Sequence, residues 1–80
     1  MSRTLVNAPD IAQWLTESLR KVEDCQDCAV SGVVALQEPE ADGCNWSDSL
    51  TVNSGGVSLD YYGPYLAKLI AEARLRFNLL

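Results

Sequence analysis

Histidine is missing from all 80 residues, and lysine and arginine are missing between Val22 and Ala67. Without histidine there is no Ser-His-Asp or Cys-His arrangement for nucleophilic catalysis. Without bases, the middle of the chain repels a DNA or RNA backbone, so direct nucleic-acid binding through that surface is not expected. Long apolar runs are missing too. Nothing approaches the ~18 residues of a membrane-spanning helix. The opening MSRTLVNAPD carries one arginine and no continuous apolar core, so it does not read as a signal peptide. The expected compartment is cytoplasmic, with no membrane partner. Gly55 and Gly56 stand as an isolated pair, not as a G-x-G-x-x-G or P-loop signature. EPEADG is acidic but lacks the alternating ligands and closing glutamate of a calcium loop. Eighty residues rarely enclose a pocket as well as a core, so an enzyme is not expected.

What is present suits one small globular domain. Apolar residues make up 48% of the chain, which argues against wholesale disorder. A single core of this size supplies roughly 3–5 kcal/mol. Residues 1–6 read as a flexible arm and residues 7–80 as the domain. Asn7 is a good N-cap, Pro9 suits a first turn, and Asp10 can reach back toward the cap. Ile11, Trp14, Leu15, Leu19 and Val22 recur at three- and four-residue steps, which predicts a helix over 8–22.

EDCQDC is polar and reads as a loop. Residues 28–37, CAVSGVVALQ, read as a strand with two apolar or small faces. Pro39 and Gly43 punctuate the next loop. Residues 46–53 alternate, with Trp46, Leu50 and Val52 on one face, and read as a second strand. The short connection makes the pair an antiparallel hairpin. Residues 57–62 fit either a turn of helix or a third extended piece. Residues 63–78 read as a second helix, with Pro64 in its first turn and Tyr62, Tyr65, Leu66, Leu69, Ile70, Ala73 and Phe77 on its apolar side.

The expected fold is therefore a small α+β domain of order helix–strand–strand–helix, its antiparallel hairpin packed against two helices. A lone hairpin leaves open edges, and joining two copies would extend the sheet. A homodimer is expected on that ground.

Cys25, Cys28 and Cys44 are an odd number and cannot all pair within one chain. In a thioredoxin-like C-x-x-C a helix N-terminus follows the pair and stabilises the thiolate. Here a helix precedes it, and Glu23, Asp24 and Asp27 add carboxylates; both raise a thiol pKa and argue against a redox catalyst. Zinc commonly wants four Cys or His ligands. In a simple hairpin Cys28 and Cys44 start opposite ends of the ladder, roughly 30 Å apart. The expected state is no cofactor, with metal binding through Cys25 and Cys28 as the alternative.

Charge and aromatics point to a binding surface instead. The base-free stretch of 46 residues holds eight of the eleven carboxylates. A basic protein surface would be attracted to it. The expected binding residues are Glu38, Glu40, Asp42, Trp46, Asp48, Asp60, Tyr61 and Tyr65, the last two in a tyrosine cluster with Tyr62. The plainer explanation is that Trp46, Tyr62 and Tyr65 fill the core and the acids keep the surface wet. Tyr61 is out of phase with the apolar side and is the expected exposed anchor. These features lead to a small, acidic, non-enzymatic interaction protein. A specific version is a bacterial phage or mobile-element inhibitor that imitates nucleic acid and blocks the protein that binds it.

Overall fold

A computed structural model describes residues 3–23, 25–41, 43–47 and 49–80. The elements run β1 (Thr4–Val6), α1 (Ala8–Leu19), β2 (Ala29–Ser31), β3 (Thr51–Asn53), α2 (Leu59–Arg76) and β4 (Phe77–Leu79). The chain is a small α+β domain. Its antiparallel hairpin is present: Ala29, Val30 and Ser31 face Asn53, Val52 and Thr51. Two strands were not expected. Thr4–Val6, assigned above to a flexible arm, pairs in parallel with Phe77–Leu79, of which Phe77 and Asn78 were assigned to the end of a helix. This second sheet ties the two ends of the described chain together.

α1 begins as its cap residues predict, with Asp10 accepting from the Asn7 backbone N–H at 3.2 Å. It stops at Leu19, three residues short of expectation. Beyond it the chain tightens into successive three-residue turns, Lys21 N–H to Ser18 and Val22 N–H to Leu19. Arg20 Nε meanwhile donates to the Cys28 carbonyl at 2.9 Å and pulls the following loop back onto the helix.

The predicted strand 28–37 is broken after Ser31. Gly32 adopts φ +76°, and a Cβ there would lie 3.0 Å from Thr51 Oγ1. Pairing resumes with Ala35 opposite Trp46. At constant register Ala35 would face Ser47, so the register slips by one residue between the two pairings, with the extra residue on the Trp46–Thr51 arm.

α2 starts earlier than expected because Ser58 caps it, accepting from the Asp60 N–H at 3.3 Å. Residues 59–62 are therefore helix, and Pro64 falls in the second turn, not the first. Arg74 and Arg76 occupy the last turn, where the helix dipole favours cations.

The core is small and mixed. Ile11, Leu15 and Leu19 of α1 pack with Val30, Trp46, Tyr62, Leu66, Ala73 and all three cysteines. Cys25 lies in a polar loop by sequence, yet it is fully buried. The outer edge of β2 is not open. Thr16 of α1 presents its hydroxyl to it, accepting from Val30 N–H at 2.9 Å and donating to Val30 C=O at 3.3 Å. A helix side chain thus stands where a further strand would pair.

Candidate interaction surface

The expected binding residues do not form one surface. Trp46 is no anchor: its side chain is wholly buried, and its indole N–H donates to the Phe77 carbonyl at 3.0 Å. The alternation that places Trp46 with Leu50 and Val52 is the sign of a core face, and the core claims it. Asp42 and Asp48 lie outside the described residues. Glu38 is exposed near the hairpin tip.

Glu40 is exposed but already engaged, in an ion pair with Arg74 of the chain itself. Arg74 also donates to the Trp46 carbonyl at 3.2 Å, and its guanidinium lies 6.0 Å over the Trp46 ring. Burial works against its charge, but Glu40 and the Cys44 thiol more than offset this, so the guanidinium stays above its ordinary range. Glu40 is therefore part of the strap that closes the hairpin tip over α2, and only secondarily a charge offered to a partner.

The other candidates converge on the start of α2. Tyr61 and Tyr65, one turn apart, lie with ring centroids at 5.9 Å and stand 40% and 45% exposed. Asp60 is exposed beside them. The Tyr61 hydroxyl donates to the Glu23 carbonyl at 2.9 Å, which brings the loop after α1 and its exposed Glu23 to the same place. Leu59, 66% exposed, lies about 160° round the helix from Tyr61 and faces away from the pair. The placing of Glu23 beside this pair escapes a reading of the sequence. The Ser58-x-Asp60 spacing was the available signal, since a cap at Ser58 makes 59–62 helical and fixes which side chains share its first turn.

Asp60 and Arg74 are 14 residues apart on one helix. At about 1.5 Å per residue, about 21 Å separates the aromatic patch from the Glu40 strap. The acidic middle of the sequence thus becomes two regions in space.

Among the described residues, no group of three His, Cys, Asp or Glu side chains is placed to hold a metal ion. Cys25 and Cys28 end one turn, closed by the Cys28 N–H donating to the Cys25 carbonyl at 3.1 Å, and the Cys28 thiol donates to the Ser54 carbonyl at 3.4 Å. Cys44 donates to the Trp46 carbonyl at 3.6 Å and sits by Arg74. A shallow groove between α1 and β2, lined by Ala8, Pro9, Ala12, Ser31, Gly32 and Val33, carries no ionisable side chain.

Comparison of the chain with known protein families, with curated proteins and with solved structures finds no match. The functional reading therefore stands on the residues alone. Among the described residues, no helix is long and apolar enough to cross a membrane.

Proposed function

We propose that this is a small acidic interaction protein, non-enzymatic and cytoplasmic, that captures a basic segment of a partner protein on the patch at the start of α2. The observation that carries the reading is the exposed Tyr61–Tyr65 pair with Asp60 and Glu23 alongside. Tyrosine is favoured at binding hot spots. A lysine or arginine over a tyrosine face gains ~0.5–2 kcal/mol. The carboxylates steer such a cation in, and the net charge of −5 extends that field. Glu38, exposed near the hairpin tip, gives a second acidic point. A nucleic-acid mimic encoded by a phage or mobile element is the narrower form of this reading, supported by the same base-free stretch.

The test is fluorescence polarisation with two labelled peptides of equal length, one arginine-rich and one glutamate-rich. The arginine-rich peptide should bind and weaken with salt. Tyr65→Ala should cost about ten-fold in affinity, the size of a modest hot spot. Tyr65 is the better probe because Tyr61 also anchors the loop at Glu23. Equal binding of both peptides, or an unchanged Kd for the variant, would end the reading.

The homodimer belongs to this proposal in a changed form. Edge pairing through β2 is blocked by Thr16. Leu75 and Leu80, exposed toward the other end of α2, offer an apolar contact in its place. Light scattering at micromolar concentration should give twice the chain mass of 8.7 kDa; a monomer mass removes the dimer.

A further inference from the structure

The cysteine pair carries chemistry that the binding reading does not use. Cys25, Gln26, Asp27 and Cys28 form a turn closed by the Cys28 N–H donating to the Cys25 carbonyl at 3.1 Å. A turn of this kind holds its first and last Cα atoms within about 7 Å, and disulfides span about 4.4–6.8 Å. Cys25 and Cys28 are the two ends of that turn. Both are fully buried, while Gln26 and Asp27 between them are exposed, so the pair lies one residue beneath the surface. The third cysteine is elsewhere, by Arg74 and the Trp46 carbonyl. The odd count thus resolves into a pair and a separate thiol.

We infer that Cys25 and Cys28 form a reversible disulfide within their turn, a stoichiometric redox site whose co-reactant is a low-molecular-weight disulfide such as oxidised glutathione. One protein thiolate attacks a sulfur of the small disulfide, whose S–S bond breaks and releases one small thiolate. The second protein thiolate then attacks the mixed disulfide and releases the other. Two protein thiols are oxidised, one small disulfide is reduced to two thiols, and the two protons end on those thiols.

The surroundings set the pace of the exchange. Burial, contact with Cys25 and the nearby Asp27 charge raise the Cys28 thiol above its ordinary value, against a smaller opposing effect of Arg20. Thiolate is scarce in the closed turn, so exchange requires the turn to open. The bonds that hold it shut are identifiable. Cys25 N–H donates to Val22 at 3.1 Å, Arg20 to the Cys28 carbonyl at 2.9 Å, and the Cys28 thiol to Ser54 at 3.4 Å. Gly55 presses on the same turn: a Cβ there would lie 2.8 Å from Asp27 Cβ. The helix polarity that disfavours a thioredoxin-like catalyst does not oppose a slow stoichiometric pair. Once formed, the bond would clamp the connection between α1 and β2 and give up the thiol bond to Ser54.

The experiment uses the full chain equilibrated in glutathione buffers of graded redox ratio. Samples are quenched with acid, unfolded, alkylated and mapped by mass spectrometry. The expected result is one transition from three alkylated cysteines to one, the survivor being Cys44, with no glutathione retained. Cys44→Ser should leave the midpoint within two-fold in redox ratio. Cys28→Ser should lose the transition and retain glutathione on Cys25. Three alkylatable thiols in the most oxidising buffer, a link to Cys44, or a stable glutathione adduct on the unaltered chain would each overturn the inference. Mapping of the unaltered chain decides the matter even where a serine variant fails to fold.

Discussion

Trp46→Ala should leave most of the chain unfolded at 25 °C. The indole is wholly buried in a core that contains few large side chains. Truncating a buried tryptophan costs about 3–5 kcal/mol. The lost bond from its N–H to the Phe77 carbonyl adds about 1 kcal/mol. One core in a chain of this size supplies roughly 3–5 kcal/mol in total, so the loss matches the whole of it. Far-UV circular dichroism with urea titration reads the outcome. The variant should show reduced helix before urea is added, and no cooperative transition. Trp46→Phe should be milder, by about 1–3 kcal/mol, since a smaller aromatic ring still fills most of the site, although part of the indole volume and the donor to β4 are lost. A Trp46→Ala protein with a urea midpoint near that of the parent would show that the ring is not in the core. It would then return Trp46 to the list of surface anchors.

The two helices and the hairpin were legible because their signals are local. Ile11, Leu15 and Leu19 repeat at helical spacing, and all three are buried on one face. Residues 46–53 alternate, but only Thr51–Asn53 is strand; Trp46 is buried through an isolated bridge to Ala35, one register step out of line with Val52. The out-of-phase position of Tyr61 marked it as exposed, and it is, but Tyr65, expected on the apolar side of the helix, is exposed as well. What stayed hidden is non-local. β1 and β4 have three residues each and pair Thr4 with Phe77 across nearly the whole chain, so no window of sequence contains the pattern. Glu40 looked like a charge offered to a partner because its counter-ion, Arg74, lies 34 residues on. The break at Gly32 was written in the sequence as a glycine within a valine-rich run, but its consequence depends on Thr51 across the ladder. The buried Cys25 misled for the opposite reason. Its neighbours are polar, yet Arg20 and Tyr61 fold the loop inward around it by bonding to Cys28 and Glu23.

Asn45→Ala should be the most damaging change to a polar side chain. β4 has β1 on one side and, on the other, a side chain in place of a strand. The Asn45 amide donates to the Leu79 carbonyl at 2.9 Å and accepts from the Leu79 N–H at 2.8 Å. This reproduces the two-bond exchange between paired strand residues. Asn78 answers from β4, accepting from the Asn45 N–H at 3.4 Å and donating to the Gly43 carbonyl at 3.0 Å. Together with the Trp46 indole, these contacts fasten the hairpin's return arm to the strand that holds β1. Alanine removes both amide bonds and leaves the half-buried Leu79 peptide groups without their partner. At about 1 kcal/mol per bond, with a further cost for stranded groups, the loss is about 2–4 kcal/mol. Asn45→Asp separates the two halves of the amide. It keeps an acceptor for the Leu79 N–H but turns a carboxylate oxygen onto the Leu79 carbonyl, so it should be no better than alanine. Urea midpoints rank the variants, and exchange of the Leu79 amide proton reports the clasp directly. That proton should be protected in the parent and should exchange at least ten-fold faster in Asn45→Ala. If its protection is unchanged, β4 is held by β1 alone and the side chain of Asn45 is incidental.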